Sequence, residues 1–590
     1  QEYALNTAKS AYYSSATFND FWADTETNWG IICNGGIANL VLAMGEYNTD
    51  ENMDILYNAL RSIEITWYRI APDGAWYEGP GYWGYLLTHL SLFMSSYKTA
   101  MEEPFGEDYM GMDKYGYFQA YFQDPEGMPN NFHDADETFA ENAGQFYLAE
   151  VYDDPSLMRF RIEQMEQFGI APTMLDIIWC RAGVQNESGS IELENEAYFR
   201  ETEFVAMRED WESDKSAWLS FHGGYSNTAH DHVDVGTFVY DIGGVRWAID
   251  LGRDMLSYLA DNENPAILAG YSSYYFYRRK GEGHNIVVIN PSDGLEQDQS
   301  VFAQVNKPVS GTTGAYGTID LSASYAMNAS SYIRGYLLTD NRRTLTVRDE
   351  IVLNDESVMH WFMHTEGDIR IVDNNTAIIY QDGKQLLMQF ITSSDNAELK
   401  AVAAEPMPET PEFTNTENLG VSKIDYVING SGRVTITVKM SLIGEIGSES
   451  GVNDVDIAEW DQLIDLPAPH TDIGYGEGRL SAIYSDGELV KDFSPDTFSY
   501  SVSRYEDGTA PEITVGEGDQ VSTERFTTYD GSEVIVLNVT DGNGRVTSYT
   551  VKILEYDNTN LDVYDRYELT AIEASSEQID EAALNLKEHS

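Results

Sequence analysis

Residues 222–252 read HGGYSNTAHDHVDVGTFVYDIGGVRWAIDLG. Three of the chain's ten histidines fall within the first eleven positions, mixed with carboxylates and glycines between two strand-like runs. If residues 229–235 are extended, alternate side chains share a face, so His230, His232 and Asp234 point one way and Val233 and Val235 the other. Residues 237–251, TFVYDIGGVRWAIDL, then read as a hairpin in which Gly243-Gly244 supplies the positive φ angles of a tight turn. Asp250 lies near the end of the return strand, and His284 opens a further apolar run, HNIVVIN. Such a cluster is either an inert polar rim on a sheet or a metal site. In the second case His232, Asp250 and His284 are nitrogen and oxygen ligands suited to zinc or manganese, and His230 is left for chemistry.

The pattern H-x-H-x-D-x-G-x-F, followed by W-x-x-D-L-G and a later histidine, is carried here by His230, His232, Asp234, Gly236, Phe238, Trp247, Asp250 and His284. It resembles the heparinase II/III-like polysaccharide lyases. The resemblance implies a helical toroid followed by a β-sheet domain, with a cleft between them. It also implies β-elimination on a uronic-acid polysaccharide, a glycosaminoglycan first and an alginate-like uronan second. The divalent metal it implies is zinc first, with manganese or calcium as alternatives, in a structural role.

Two earlier stretches extend the resemblance, ETNWGIICNGG at 26–36 and DGAWYEGPGYWGY at 73–85. In the family the first carries an Asn, often followed by His, that binds the substrate carboxylate. Here Asn28 matches, Trp29 replaces the histidine, and Asn34 is a second candidate. The second stretch carries the family's catalytic Tyr, for which Tyr82 and Tyr85 are both placed. Trp29, Trp76, Glu78 and Trp83 are expected to line a sugar groove, with Glu78 either positioning substrate or capping the next helix. In NNFHDADETFAE (130–141), Asp134 or Asp136 reads as a helix cap and His133 as structural. Trp179 and Arg181 close the helical part and are candidates to face the cleft.

Composition bounds the partners. The 590 residues carry a formal charge of −63, which argues against nucleic acid or an anionic membrane as partner. A polyanionic substrate therefore needs a locally positive cleft, for which Arg246, Arg253, Arg278, Arg279 and Lys280 are the candidates. The stretch YSSYYFYRRKGEGH at 271–284 reads as a substrate-contacting loop on the same grounds. No run of eighteen apolar residues marks a membrane span, and the first residues lack a signal-peptide pattern, so a secreted or cell-surface bacterial location is inferred from the resemblance alone. Two cysteines, Cys33 and Cys180, give no disulfide framework.

The expected fold class is multidomain α+β. Residues 1–194 show helical periodicity and read as an α/α toroid, incomplete or shortened at its start because the helices are fewer than a full ring needs. Residues 195–471 show short strands with turn signals and read as a large antiparallel β-sheet domain. Residues 472–556 resemble a cadherin-like β-sandwich of secreted carbohydrate enzymes, preceded by a linker. Residues 557–590 resemble the opening of a discoidin-type module, which implies a fragment of a longer protein. The catalytic expectation is that Tyr82 or Tyr85 and His230 move the protons while Asn28 or Asn34 neutralises the uronate. The rivals are a uronide hydrolase using Asp73 and Glu78 and a carbohydrate-binding protein with a dead cleft.

Overall fold

The computed structural model describes residues 6, 12, 21–44, 50–136, 142–180, 193–262, 268, 270–411, 415–444, 451–466 and 476–556. The tail from 557, most of the expected linker and Arg181 lie outside these residues. The chain divides into two compact units between Tyr475 and Gly476.

The first unit begins with a helical region. Its main helices are α1 (Asn28–Ala43), α2 (Asp50–Trp67), α3 (Gly79–Met101), α4 (Gly144–Val151), α5 (Pro155–Gln167) and α6 (Met174–Trp179). Their starts are written in local chemistry. Pro80 lies in the first turn of α3, where a missing N–H costs nothing. Asp154 caps α5 by accepting from the Ser156 and Leu157 amides, and Pro155 follows it. No helix among the described residues is long and apolar enough to cross a membrane.

The second part of the unit is antiparallel sheet. A five-stranded sheet runs in chain order through β1 (Glu196–Phe199), β2 (Phe204–Arg208), β3 (Trp218–His222), β4 (Phe238–Asp241) and β5 (Arg246–Ala248). Gly243 and Gly244 close the β4–β5 hairpin with φ of 74° and 71°, the left-handed pair that matches the strand twist. Beyond them come β6 (Val287–Ile289), β7 (Gln304–Ser310), β8 (Ala315–Asp320), β9 (Ala329–Thr339), β10 (Thr344–Leu353) and β11 (Ser357–Thr365). Next follow β12 (Asp368–Asp373), β13 (Thr376–Gln381), β14 (Lys384–Thr392), β15 (Ala397–Ala403), β16 (Ser422–Gly430) and β17 (Arg433–Leu442). They form an eight-stranded sheet, β12-β13-β14-β17-β10-β9-β8-β7, and a four-stranded sheet, β15-β16-β11-β6. Inner-face residues of all three sheets share one core, among them Phe221, Trp247, Tyr336, Trp361 and Met388.

One ion pair inside this core braces the loops of the site. Arg334 on β9 faces Asp349 on β10 directly across the ladder. Its Nε and Nη2 donate to the two carboxylate oxygens at 2.6 and 3.1 Å, while Nη1 donates to the carbonyls of Gly236 and Asn285 at 2.9 and 2.8 Å. Asn285 in turn donates to Phe238 O and Ile249 O, each at 2.8 Å.

The second unit holds a three-stranded and a four-stranded sheet around one small core that includes Ile483, Tyr500, Ile535 and Tyr549.

Asp349→Ala should strand the Arg334 charge in the core. The expected loss is roughly 3–5 kcal/mol of stability, read by urea unfolding. A loss under 1 kcal/mol contradicts the bracing role.

Candidate active site and metal centre

The loop 130–136 leaves the helical region and docks against the sheet region. Asn130 donates to Ser220 Oγ and Asn131 donates to the Asp250 carbonyl. The Arg253 amide donates to Ala135 O at 3.1 Å. The contact is so close that a Cβ on Gly252, at φ 60°, would lie 2.4 Å from that same carbonyl. Asp134, read from sequence as a helix cap, does something else. Its Oδ2 lies 2.9 Å from His230 Nδ1 and its Oδ1 3.2 Å from His232 Nε2. Asp136 pairs with Arg253, and the helix it was expected to cap lies outside the described residues. Burial opposes a charge on Asp134, but the hydrogen bonds from His230 and His232 prevail and hold its carboxyl well below the usual carboxylate range.

The expected extended strand at 229–235 is not formed. The segment is a run of turns, and His230 sits at φ 70°, the left-handed region. His230 and His232 are brought together by their shared carboxylate instead of by strand alternation. Asp234 turns to His222, 3.1 Å from its Nε2. The neighbouring Asp231 is wholly buried and takes hydrogen bonds from Thr228, and burial pushes its carboxyl up to about 8. His133 and His222 thus join the cluster around Asp234, a place that sequence reasoning did not give them. The signal was present in the histidine count of 222–232, but the contribution from 130–136 is a long-range one.

Tyr82 packs its ring flat on His230, with centroids 3.7 Å apart and planes 18° from parallel. Tyr85, one turn along α3, is exposed and meets His89 edge-on. The structure therefore brings Tyr82, and not Tyr85, to the imidazole. Burial, reinforced by the charge of Asp134, raises the Tyr82 phenol above its ordinary value. Glu78 is also buried, and burial raises its carboxyl. Its Oε2 accepts from the Asn28 amide N–H at 3.2 Å, from Asn28 Nδ2 at 2.7 Å and from Trp76 Nε1 at 2.9 Å. Asn28 is thus committed to Glu78, whose side chain does not cap α3.

Several expected site residues are elsewhere. Asn34 is fully buried, and its amide donates to Gly30 O and Trp22 O. Trp76 and Trp83 belong to the helical core with no exposure, so neither offers a face to a sugar. Trp29 is exposed and rests edge-on against Phe21. Trp179 is buried against Tyr147 and Ser95. The cationic candidates are brackets. Arg246 binds Asp241, Asp124 and two carbonyls. Arg278 binds Asn418 and the carbonyls of Leu251 and Arg253. Arg279 binds Ser257, Ser273 and Asp231 O, and Lys280 binds Glu296. A buried guanidinium must satisfy its donors internally, which is why 271–284 packs inward instead of forming a substrate loop. Cys33 and Cys180 are free thiols.

His232, Asp250 and His284 converge as expected, each buried, with one potential ligand atom from each within 4.8 Å of the others. His284 Nδ1 lies 3.0 Å from Asp250 Oδ2. His232 Nδ1 and His284 Nε2 are buried without a hydrogen-bond partner among the described residues. Two idle imidazole nitrogens beside a carboxylate fit a divalent ion of the zinc type.

Residues 192–441 match the family model described as Heparinase II/III-like, C-terminal. This part of the chain is similar to that C-terminal domain family. No curated protein matches the chain by sequence. Among solved structures, a heparinase III superposes at TM-score 0.53 with 12% identity, covering 89% of this chain and 67% of that one. A heparinase III with methylated lysines gives TM-score 0.53 and 13% identity, covering 93% and 68%. A mutant of the heparan sulfate lyase HepC from Pedobacter heparinus gives TM-score 0.52 and 12% identity, covering 88% and 65%. At such identity the likeness is one of fold: a helical region followed by a large antiparallel β region. The chain spans about two thirds of the length of these structures.

Dialysed protein should retain about one divalent ion per chain by elemental analysis. Its removal by a chelator should lower the melting temperature, because it frees the ligand loops from one another. An unchanged melting temperature after complete removal contradicts the site.

Proposed function

We propose that the chain is a polysaccharide lyase that cleaves a uronic-acid-containing polymer, a glycosaminoglycan first, by β-elimination. The observation that carries this reading is the stack of Tyr82 on His230, with His230 Nδ1 held on Asp134. The heparinase II/III-like domain supports it at the level of the family.

The chemistry follows from the proton positions. A uronate carries an acidic C5–H beside its carboxylate, and elimination needs a base at C5 and an acid at the leaving O4. A proton on His230 Nδ1, donated to Asp134, leaves the lone pair on Nε2 as the base. Tyr82, its phenol raised by burial, keeps its proton at neutral pH and suits the acid role. His230 Nε2 takes the C5 proton, the electron pair forms the C4–C5 double bond, and the C4–O4 bond breaks as Tyr82 protonates O4. Glu78, held by Asn28 and Trp76, is a buried carboxyl behind this pair, raised by its burial. His232, Asp250 and His284 would hold a divalent ion, which would cross-link the His230 loop, the end of the β4–β5 hairpin and the segment that leads into β6. A secreted or cell-surface location, and a cadherin-like role for the second unit, belong to the same proposal.

Tyr82→Phe should lower turnover by roughly a hundredfold or more, the scale of a lost general acid, while Tyr85→Phe stays within a few-fold of the unsubstituted protein. Release of unsaturated, ultraviolet-absorbing ends from a panel of uronic-acid polysaccharides measures both. Equal activity of Tyr82→Phe and the parent contradicts the assignment.

A further inference from the structure

A cavity of about 400 Å³ opens where β1, β2 and the Gly223–Asp231 segment meet the helical region. Its volume falls within the roughly 300–1,000 Å³ typical of small-molecule sites. His133 lines it, is 2% exposed, and has no hydrogen-bond partner on either ring nitrogen among the described residues. The nearest carboxylate oxygen, Asp231 Oδ1, stays 3.6 Å away. Two cations share the lining. Arg69 is held by Glu26 and Glu201. Arg200 is exposed, and its guanidinium makes no hydrogen bond or ion pair among the described residues, although its field reaches Tyr198 and Glu203. Tyr225 and Phe302 also line the cavity, 46% and 36% exposed, and meet edge to face with centroids 5.0 Å apart.

We propose that this cavity binds one anionic sugar unit of a polysaccharide, with Arg200 on its carboxylate or sulfate group and the Tyr225–Phe302 pair against its ring. The lining mixes donors, acceptors and flat apolar faces. Glu201 offsets part of the positive charge, which disfavours a bare anion, and with Asp231 it offers polar oxygens to ring hydroxyls. Aromatic faces suit the apolar side of a pyranose. None of these groups moves a proton in the elimination. The inference rests on the lyase reading only in taking a polysaccharide as the ligand, and it places a binding subsite next to the reacting centre.

The test is calorimetry on the full chain carrying Tyr82→Phe, so that the probe is not consumed. The probes are heparan sulfate tetrasaccharides and the same backbone without sulfate. Arg200→Ala and Tyr225→Ala, both at exposed positions, are each expected to weaken binding about tenfold, the scale of one lost charge-assisted or stacking contact. A larger loss on the sulfated probe assigns the anion as sulfate, and an equal loss assigns it as carboxylate. Binding within twofold of the Tyr82→Phe parent for both variants overturns the site, as does failure of the parent to bind either probe. Digestion by the unsubstituted chain separates the two claims. Ultraviolet-absorbing ends with variant-insensitive binding keep the lyase and overturn the subsite. Variant-sensitive binding without such ends keeps the subsite and overturns the lyase.

Discussion

One carboxylate, Asp134, holds two imidazoles that come from nearly a hundred residues away in sequence. It is the point at which the helical region reaches into the sheet region, and the proposed chemistry hangs on it. The charge is buried, so it persists only because two ring N–H groups and the field of Arg279 are aimed at it. In return it fixes the tautomer of His230 and its direction toward Tyr82. His230 occupies a left-handed backbone conformation that an imidazole residue adopts only when the surroundings over-determine it. The strain is local to the residue assigned the base role, where pre-organisation is of most use.

The second constraint is charge economy. A chain with a formal charge of −63 has few cations, and many of them are committed inside. Arg334 ties the long β9–β10 ladder to the carbonyls that flank the site loops, and Arg246, Arg278 and Arg279 lock the hairpin and the 271–284 segment. The centre is thus rigid because its guanidinium groups are used as multi-pronged brackets, which point charges such as lysine serve less well. The proposed anionic sugar would then be met on the neighbouring cavity wall, where Arg200 lies.

How much of this was legible in the sequence depends on the range of each interaction. The β4–β5 hairpin was readable because Gly243-Gly244 encodes its own turn. The convergence of His232, Asp250 and His284 was readable from their motif spacing, although His232 lies in a loop and not on a strand. The choice between Tyr82 and Tyr85 was not, since residues three apart on α3 share much of one face and only the docked loop distinguishes them. The histidine partners of Asp134 were not legible, because short-range rules see only a carboxylate ahead of a helical stretch, while its partners lie across the fold. Trp76 and Trp83 looked like a sugar groove because glycines and prolines surround them. Those glycines instead permit close packing: a Cβ on Gly79 would lie 3.1 Å from the His133 ring. The cationic run 278–280 misled for a related reason, as sequence shows charge but not the carbonyls waiting to receive it.

The central claim is that the Tyr82–His230 pair breaks the linkage by elimination and not by hydrolysis. Digestion of heparan sulfate in water enriched in heavy oxygen, followed by mass spectrometry of the products, tests it most directly. Elimination takes no oxygen from solvent, so the account predicts chain ends that carry a double bond, are lighter by one water than hydrolysis products, and hold no heavy label beyond slow exchange at the reducing carbon. Saturated ends with one solvent-derived oxygen per cleavage would contradict it.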